Sequence, residues 1–345
     1  MEIREILERA EELKASDIHI VAGKSPILRV HGELQDMDEE RLMPSDCQTL
    51  IYSILSELQQ KEFEESKELD FSFGIAGLGR YRVNVHMQRG TVAAAIRTIA
   101  TDIPPLDKLG LPKSVEKFSD YKNGLVLVTG PTGSGKSTTL AAIINKINEE
   151  KSSHIITIED PIEYLHRHKK SIVEQREVKS DTSSFATALK YALRQDPDVI
   201  LIGELRDLET IEAALTAAET GHLVFGTLHT NDAAQTIDRI VDVFPTNQQP
   251  QIRILLSSVI KGVVSQQLIQ TVDKKSRVLA AEVLVGTPAV SNLIREAKTH
   301  QIYSMIETGA RFGMRSMDMS LKDLYERRLI SYDDMVKRMR NPNFM

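Results

Sequence analysis

The sequence predicts an α/β protein of two domains, a small N-terminal α+β domain followed by a larger domain built on a parallel sheet. Three observations predict it. First, the stretch GPTGSGKST at 130–138 follows the apolar run Leu125, Val126, Leu127, Val128 and opens a segment whose Leu140, Ile143, Ile144 and Ile147 fall on one helical face. A buried strand therefore passes through a glycine loop into an amphipathic helix. Second, strand and helix patterns alternate beyond that point, which predicts a parallel sheet covered by helices. Third, the first hundred or so residues carry short runs of alternating polarity bounded by turn residues, the pattern of an antiparallel sheet.

At 345 residues the chain is long enough for two ordinary domains. Hydrophobic residues make up 41% and charged residues 27%, the balance of a globular protein and not of a disordered one. No run approaches the roughly eighteen consecutive apolar residues of a membrane span. The opening MEIREILERAEELK is charged and helical in period, unlike a signal peptide, so the expected location is the cytoplasm. The single cysteine, Cys47, allows no internal disulfide and no cysteine-cluster zinc site. A net charge of −6, 5% aromatic residues and no Trp argue against a broad nucleic-acid footprint.

In chain order, Ile3, Ile6, Leu7, Ala10 and Leu13 share one face of a first helix. Segments 17–21 and 26–34 read as short strands, broken by Gly23 and by the turn signal His31-Gly32. Pro44-Ser45-Asp46 starts a second helix, continued by Leu50, Ile51, Ile54, Leu55 and Leu58. Segments 69–73, 79–87 and 91–99 alternate again as strands, so residues 1–100 form the α+β domain. Arg80 and Arg82, two apart, share a face, and Arg97 lies in a neighbouring strand. The three form either a solvated sheet face or a contact to a phosphate bound by another domain or subunit. Pro104, Pro105, Gly110 and Pro112 mark 101–112 as a stiff connector, which makes 113–345 the second domain. Its pattern runs strand 124–129, helix 136–149, strand 154–159, helix 183–194, strand 198–203, helix 207–219, strand 222–228 and helix 232–241. The remainder is mainly helical, with one strand pair near 263–270 and 277–285.

Gly130, Pro131, Thr132, Gly133, Ser134, Gly135, Lys136, Ser137 and Thr138 have the make-up of a phosphate-binding loop. The glycines let backbone N–H groups turn inward around an anion, and the helix N-terminus adds its partial positive charge. Lys136 then reaches the terminal phosphates, and the Ser137 hydroxyl holds Mg2+. Three later stretches extend the pattern. Glu159, Asp160 and Glu163 lie at the carboxyl end of a strand, where ligands of open α/β sheets sit. One of these acids orients and deprotonates an attacking water, or the set is a surface turn. The apolar strand from Asp198 to Glu204 has the form of a Walker B strand. Gly203 stands where many phosphate-loop enzymes carry aspartate, which leaves Glu204 as the magnesium-linked carboxylate. His222 and His229 bracket a further apolar strand. His229, at its carboxyl end, is the better placed for a γ-phosphate; His222 either joins the nucleotide site or only ties strands together. Neither has zinc spacing.

The motifs GPTGSGKST, IEDPIEY, DPDVILIGELRD and TGHLVFGTLHT, in that order, resemble the secretion ATPases that power type II secretion and type IV pili, over nearly the whole chain. The resemblance is closest to the branch that retracts type IV pili. It implies a PAS-like N-terminal domain, a RecA-like P-loop NTPase domain with a helical C-terminal region, and a homohexamer whose sites involve a RecA-like domain and an N-terminal domain. It also implies hydrolysis of ATP with Mg2+, Glu163 as the water-activating acid, Glu204 as the magnesium-linked acid, and His229 as the γ-phosphate contact. Arg82 and Arg97 become the arginines that stabilise the phosphates, with Arg80 undecided. The implied partners are a PilC-like platform protein of the inner membrane, pilin through it, and a second ATPase of the same type, with no nucleic acid among them. The implied place is the cytoplasmic face of the membrane at the pilus base. Assembly ATPases of the family carry an additional N-terminal domain and a four-cysteine motif, neither expected here. The stretch 289–296, AVSNLIRE, departs from the retraction branch's AIRNLIRE at Val290 and Ser291. The rival readings are an assembly-type secretion ATPase, a nucleic-acid translocase and a nucleotide-binding regulator.

Overall fold

Apolar residues at every second position build the N-terminal sheet. The computed structural model describes residues 1–30, 32–37, 40–75, 77–99 and 102–341, and the chain divides into two units, Met1–Thr101 and Asp102–Met345. In the first unit β1 (Asp17–Ile20), β2 (Ile27–Val30), β3 (Glu33–Asp36), β4 (Glu68–Ile75), β5 (Gly79–Gln88) and β6 (Thr91–Thr98) pair in the order β3-β2-β1-β6-β5-β4, every pair antiparallel. Ile18, Val83, Val85, Ala94 and Ile96 face one way and share a core with Ile6, Leu7 and Ala10 of α1 (Ile3–Glu12) and Ile51 of α2 (Pro44–Tyr52).

The predicted second helix is two helices. Ser56 accepts from the Gln59 N–H at 3.3 Å while Gln59 accepts from the Ser56 N–H at 2.9 Å, a capping box that starts α3 (Glu57–Ser66) afresh. Leu58, assigned to the apolar face, is 78% exposed as a result. Cys47 is a buried residue of α2. His31 of the predicted turn, and Ala100 and Thr101 at the predicted boundary, lie outside the described residues. Segment 102–112 is not a free connector: Leu106 is buried, with Ile103, Leu109 and Leu111 packed beside it, in a core of the second unit.

The second unit holds a seven-stranded sheet. Its strands are β7 (Gly124–Thr129), β8 (His154–Glu159), β9 (Ile172–Glu177), β10 (Val199–Ile202), β11 (Leu223–Leu228), β12 (Ile260–Gln270) and β13 (Arg277–Val285), in the order β13-β12-β7-β11-β10-β8-β9. Every pair is parallel except β12 with β13. The central strands are apolar throughout because both faces are covered. Val126, Val128 and Phe225 pack on Leu140, Ile143, Ile144 and Ile147 of α4 (Lys136–Glu150). Leu125, Leu127, Ile158, Ile200 and Ile202 pack on the other side against α5 (Phe185–Ala192), α6 (Leu208–Glu219), α7 (Ala233–Asp242) and α8 (Gln249–Val259).

Strand β9 was not foreseen. It is an edge strand whose IVEQRE sequence is largely polar, so it carries little apolar signal. In α9 (Pro288–Arg295) Val290 is fully buried and its N–H donates to the Thr287 hydroxyl, so this departure from the retraction motif still fills its core position. Ser291 is only partly buried. Beyond α10 (Ile302–Thr308), two further helices, α11 (Met317–Glu326) and α12 (Tyr332–Arg338), close a small core over the ends of β12 and β13 through Leu321, Leu324 and Met335.

Because Ile200 sits at zero exposure in the middle of the parallel sheet, Ile200→Ala should cost about 3 kcal/mol through lost burial and an unfilled cavity. A fall in the urea unfolding midpoint with an unchanged m-value is the expected result.

Candidate functional site

The carboxyl ends of β7, β8, β10 and β11 finish in step. Thr129 pairs with Leu228, Gly226 with Ile202, and Ile202 with Ile158. Whatever follows these strands therefore emerges along one edge, where a cavity of about 590 Å³ opens. Thr132, Gly133, Gly135, Lys136, Ser137 and Thr138 line it, together with Glu159, Asp160, Glu163, Tyr164, Gly203, Glu204, Arg206, Thr227 and His229.

The loop after β7 turns sharply because its glycines carry no Cβ. Gly130 has φ +136°, and a Cβ there would stand 2.3 Å from the Gln266 carbonyl oxygen and 2.7 Å from Ser134 Oγ. Gly133 and Gly135 also hold positive φ, and Gly135 is the N-cap of α4, so the helix opens with unbonded N–H groups at the cavity. Lys136, the first residue of the helix, donates through Nζ to the Gly130 carbonyl at 2.8 Å and the Pro131 carbonyl at 3.0 Å. Burial pushes its ammonium below the usual lysine value, while the negative charges of Glu204 and Glu163 pull it back up. A half-buried cation held by two carbonyls and facing two acids is a ready receptor for a phosphate. Ser134, by contrast, is buried beside Gly130 and forms the floor of the loop.

Glu204 follows β10. Its Oε1 meets Arg206 Nε at 2.5 Å and His229 Nε2 at 3.2 Å. Burial alone would raise its carboxyl, but the hydrogen bond and charge of Arg206, with His229 behind them, hold it below the usual glutamate value. It is thus a carboxylate at neutral pH. The missing Walker B aspartate has a steric reason: a Cβ on Gly203 would lie 3.2 Å from both Glu159 Cα and the Ile158 carbonyl oxygen. The acids after β8 differ among themselves. Glu159 accepts from Thr157 Oγ1 at 2.6 Å and from Gln175 Nε2 at 3.2 Å, and burial pushes its carboxyl up. Glu163 is exposed and lines the cavity with no side-chain hydrogen bond among the described residues.

The predicted residues are not all brought together. His222 lies at the amino end of β11, where its Nδ1 stands 2.9 Å from the Ala217 carbonyl, and it does not line the cavity. In the first unit, Arg82 and Arg97 are direct cross-strand partners, and Asp17 is the partner of Arg97 on the next strand. Arg97 Nε bonds Asp17 Oδ1 at 2.9 Å. Arg82 is exposed and has no hydrogen-bond or ionic partner among the described residues. Two like charges face each other across the strands, with the one acid, Asp17, on the far side of Arg97, which costs stability and leaves a net positive row. Sequence reasoning missed Arg206, Tyr164 and Gln175. Arg206 follows the Walker B acid by two residues and Tyr164 follows Glu163 directly; Gln175, on the unforeseen β9, gave no signal.

The donor chemistry suits magnesium. The Ser137 hydroxyl and the Glu204 carboxylate are hard oxygen donors on one cavity, and a magnesium ion bound with a nucleotide takes one or two protein oxygens and fills its other positions with phosphate and water.

A phosphate loop, a Walker B strand and a parallel sheet that open on one cavity define a nucleotide-binding domain of the RecA-like class. The chain belongs to the type II/IV secretion system protein family, whose model matches residues 1–329. It is 49% identical over 342 residues, 99% of both chains, to the type IV pilus retraction ATPase PilT of Pseudomonas aeruginosa. It is 47% identical over 339 residues to a twitching motility protein of Neisseria gonorrhoeae, covering 96% of this chain and 91% of that one. Among solved structures, the crystal structure of the pilus retraction motor PilT with bound ADP superposes with a TM-score of 0.92 at 53% identity, covering 100% of this chain and 99% of that one.

One acid near the site titrates outside the phosphate chemistry. Glu282 of β13 is buried and accepts the N–H of Ala233 at 2.9 Å, the first residue of the helix that follows the His229 loop. Burial pushes its carboxyl up to about 7, against the lowering effect of the Ala233 and Met317 N–H groups and of Arg340. The folded chain therefore holds this proton more tightly than the unfolded chain. Its stabilising effect is complete below the ordinary glutamate range and is lost as pH rises through about 7. Thermal melts of Glu282→Gln should thus gain on the parent between about pH 5 and pH 8, the parent falling as the variant stays level.

Proposed function

We propose that this protein is a magnesium-dependent ATPase motor that powers type IV pilus retraction. The observation that carries this reading is the convergence of Lys136, Ser137, Glu163, Glu204 and His229 on a single cavity at the strand ends. Pilus retraction is the work named for the relatives that match this chain end to end.

In this reading the N–H groups from Gly130 to Thr138 wrap the β- and γ-phosphates, and Lys136 leaves the Gly130 and Pro131 carbonyls for them. Ser137 and Glu204 hold Mg2+, which neutralises charge on the phosphates when bound. Glu163, exposed and without a competing side-chain partner among the described residues, accepts a proton from the attacking water as its oxygen bonds to the γ-phosphorus and the bond to the bridging oxygen breaks. His229, 3.2 Å from Glu204, reports on the γ-phosphate. Arg82 and Arg97 stabilise the phosphate charge, a role their surplus positive row favours. ATP then draws the arginine-bearing domain in and phosphate release lets it go, a closure driven by the difference in affinity between the two states. A homohexamer of such units, at the cytoplasmic face of the membrane, passes the step to a platform protein so that pilin returns from the fibre.

Lys136→Ala should abolish turnover, and Glu163→Gln should keep nucleotide binding while lowering kcat at least about 100-fold. Parental turnover by Glu163→Gln in a steady-state phosphate-release assay would overturn the base assignment. Arg97→Ala should lower kcat about tenfold or more, in the manner of a phosphate-stabilising arginine, with nucleotide still bound. For the cellular role, cells that lack the protein should display abundant static pili under the electron microscope; bare cells would point to an assembly motor.

A further inference from the structure

The carboxylate of Glu163 has no side-chain partner among the described residues, yet the backbone on both sides of it is tied down. Before it, the N–H of buried Ile162 donates to Glu177 Oε2 at 3.2 Å. After it, Gln175 of β9 accepts from the His166 N–H at 2.7 Å and donates to the Tyr164 carbonyl at 2.8 Å and to the Glu159 carboxylate at 3.2 Å. The Tyr164 hydroxyl meets Thr138 Oγ1 at 2.9 Å, in the first turn of α4. One free acid thus stands on a loop whose neighbours are fastened to an edge strand on one side and to the phosphate-loop helix on the other. Surface loops are ordinarily mobile, and an acid must stand within hydrogen-bond reach of the water it deprotonates, so a loop bearing such an acid gains rate from being held.

We propose that Tyr164 and Gln175 are positioning residues that hold Glu163 at the reacting phosphate, and that the Tyr164–Thr138 contact ties the acid's place to the helix that grips the nucleotide. The inference rests on Glu163 being the water-activating acid. Thr138 lies in the same helical turn as Lys136 and Ser137, so any shift of that turn when nucleotide binds is passed through one hydroxyl pair to the residue next to Glu163. Gln175 fastens the backbone of the same stretch: its amide spends both ends on this loop, and an apolar or anionic residue at that position cannot donate to Tyr164 and Glu159 while accepting from His166.

The test is steady-state kinetics on the full chain with Tyr164→Phe, which removes only the hydroxyl, beside binding of a fluorescent non-hydrolysable ATP analogue and a thermal melt. The expected result is a kcat about tenfold lower with analogue affinity within about twofold of the parent, because positioning is lost and binding is not. Gln175→Glu should show a similar loss that shrinks as pH falls, since protonation gives the new carboxyl a donor again. A Tyr164→Phe kcat within about twofold of the parent, or a loss matched by an equal loss of affinity, would overturn the role of Tyr164. A Gln175→Glu defect that does not change with pH would overturn that of Gln175. Glu163→Gln run in parallel separates the two levels: if it turns over like the parent, the base assignment on which the inference rests fails, whereas an inactive Glu163→Gln beside a normal Tyr164→Phe sinks only the positioning role.

Discussion

The parallel register of β7, β11, β10 and β8 is the constraint on which the site depends. These strands are buried on both faces along β7, β10 and β11 and through the middle of β8, so none can slip by a residue without moving its side chains to the wrong layer. Held in step, the strands release four different loops at one edge: the glycine loop, the acidic loop, the Glu204 turn and the His229 turn. None of these loops comes near the others in sequence. The sheet brings them together.

Charge then sets the chemistry. Lys136 is desolvated between carbonyls and acids, and Glu204 is kept ionised by Arg206 and His229. Glu163 faces the cavity with no side-chain partner among the described residues, while Glu159 is occupied by Thr157 and Gln175. The three acids that look alike in the sequence are thereby sorted by their surroundings: one holds the loop together, one faces the Walker B cations, and one is left for water.

The parts legible in the sequence were those with local causes. The strand, glycine loop and helix of the phosphate site follow one another within about twenty-five residues, and a buried parallel strand announces itself as an apolar run. The single long helix read across Pro44 to Leu58 failed because a capping box at Ser56 outweighs an apolar continuation. Strand β9 was missed because an edge strand needs polar residues on its open side, and with it went Gln175, whose role exists only through three contacts made across loop and sheet. His222 shows the same limit from the other side: the sequence places it at the amino end of its strand, but its contact with the Ala217 carbonyl exists only in the fold. The sequence puts Arg80 and Arg82 on one face with Arg97 in a neighbouring strand, and the register makes Arg82 and Arg97 direct neighbours.

The account stands or falls on where the triphosphate lies, and a structure of the full chain with magnesium and a non-hydrolysable ATP analogue measures that directly. The predicted result is a γ-phosphate bonded by Lys136 Nζ, which has left the Gly130 and Pro131 carbonyls, with magnesium against Ser137 and a water within reach of Glu163. A nucleotide bound with Lys136 still on its two carbonyls, or with Glu163 turned away from the γ-phosphate in every subunit, would contradict it.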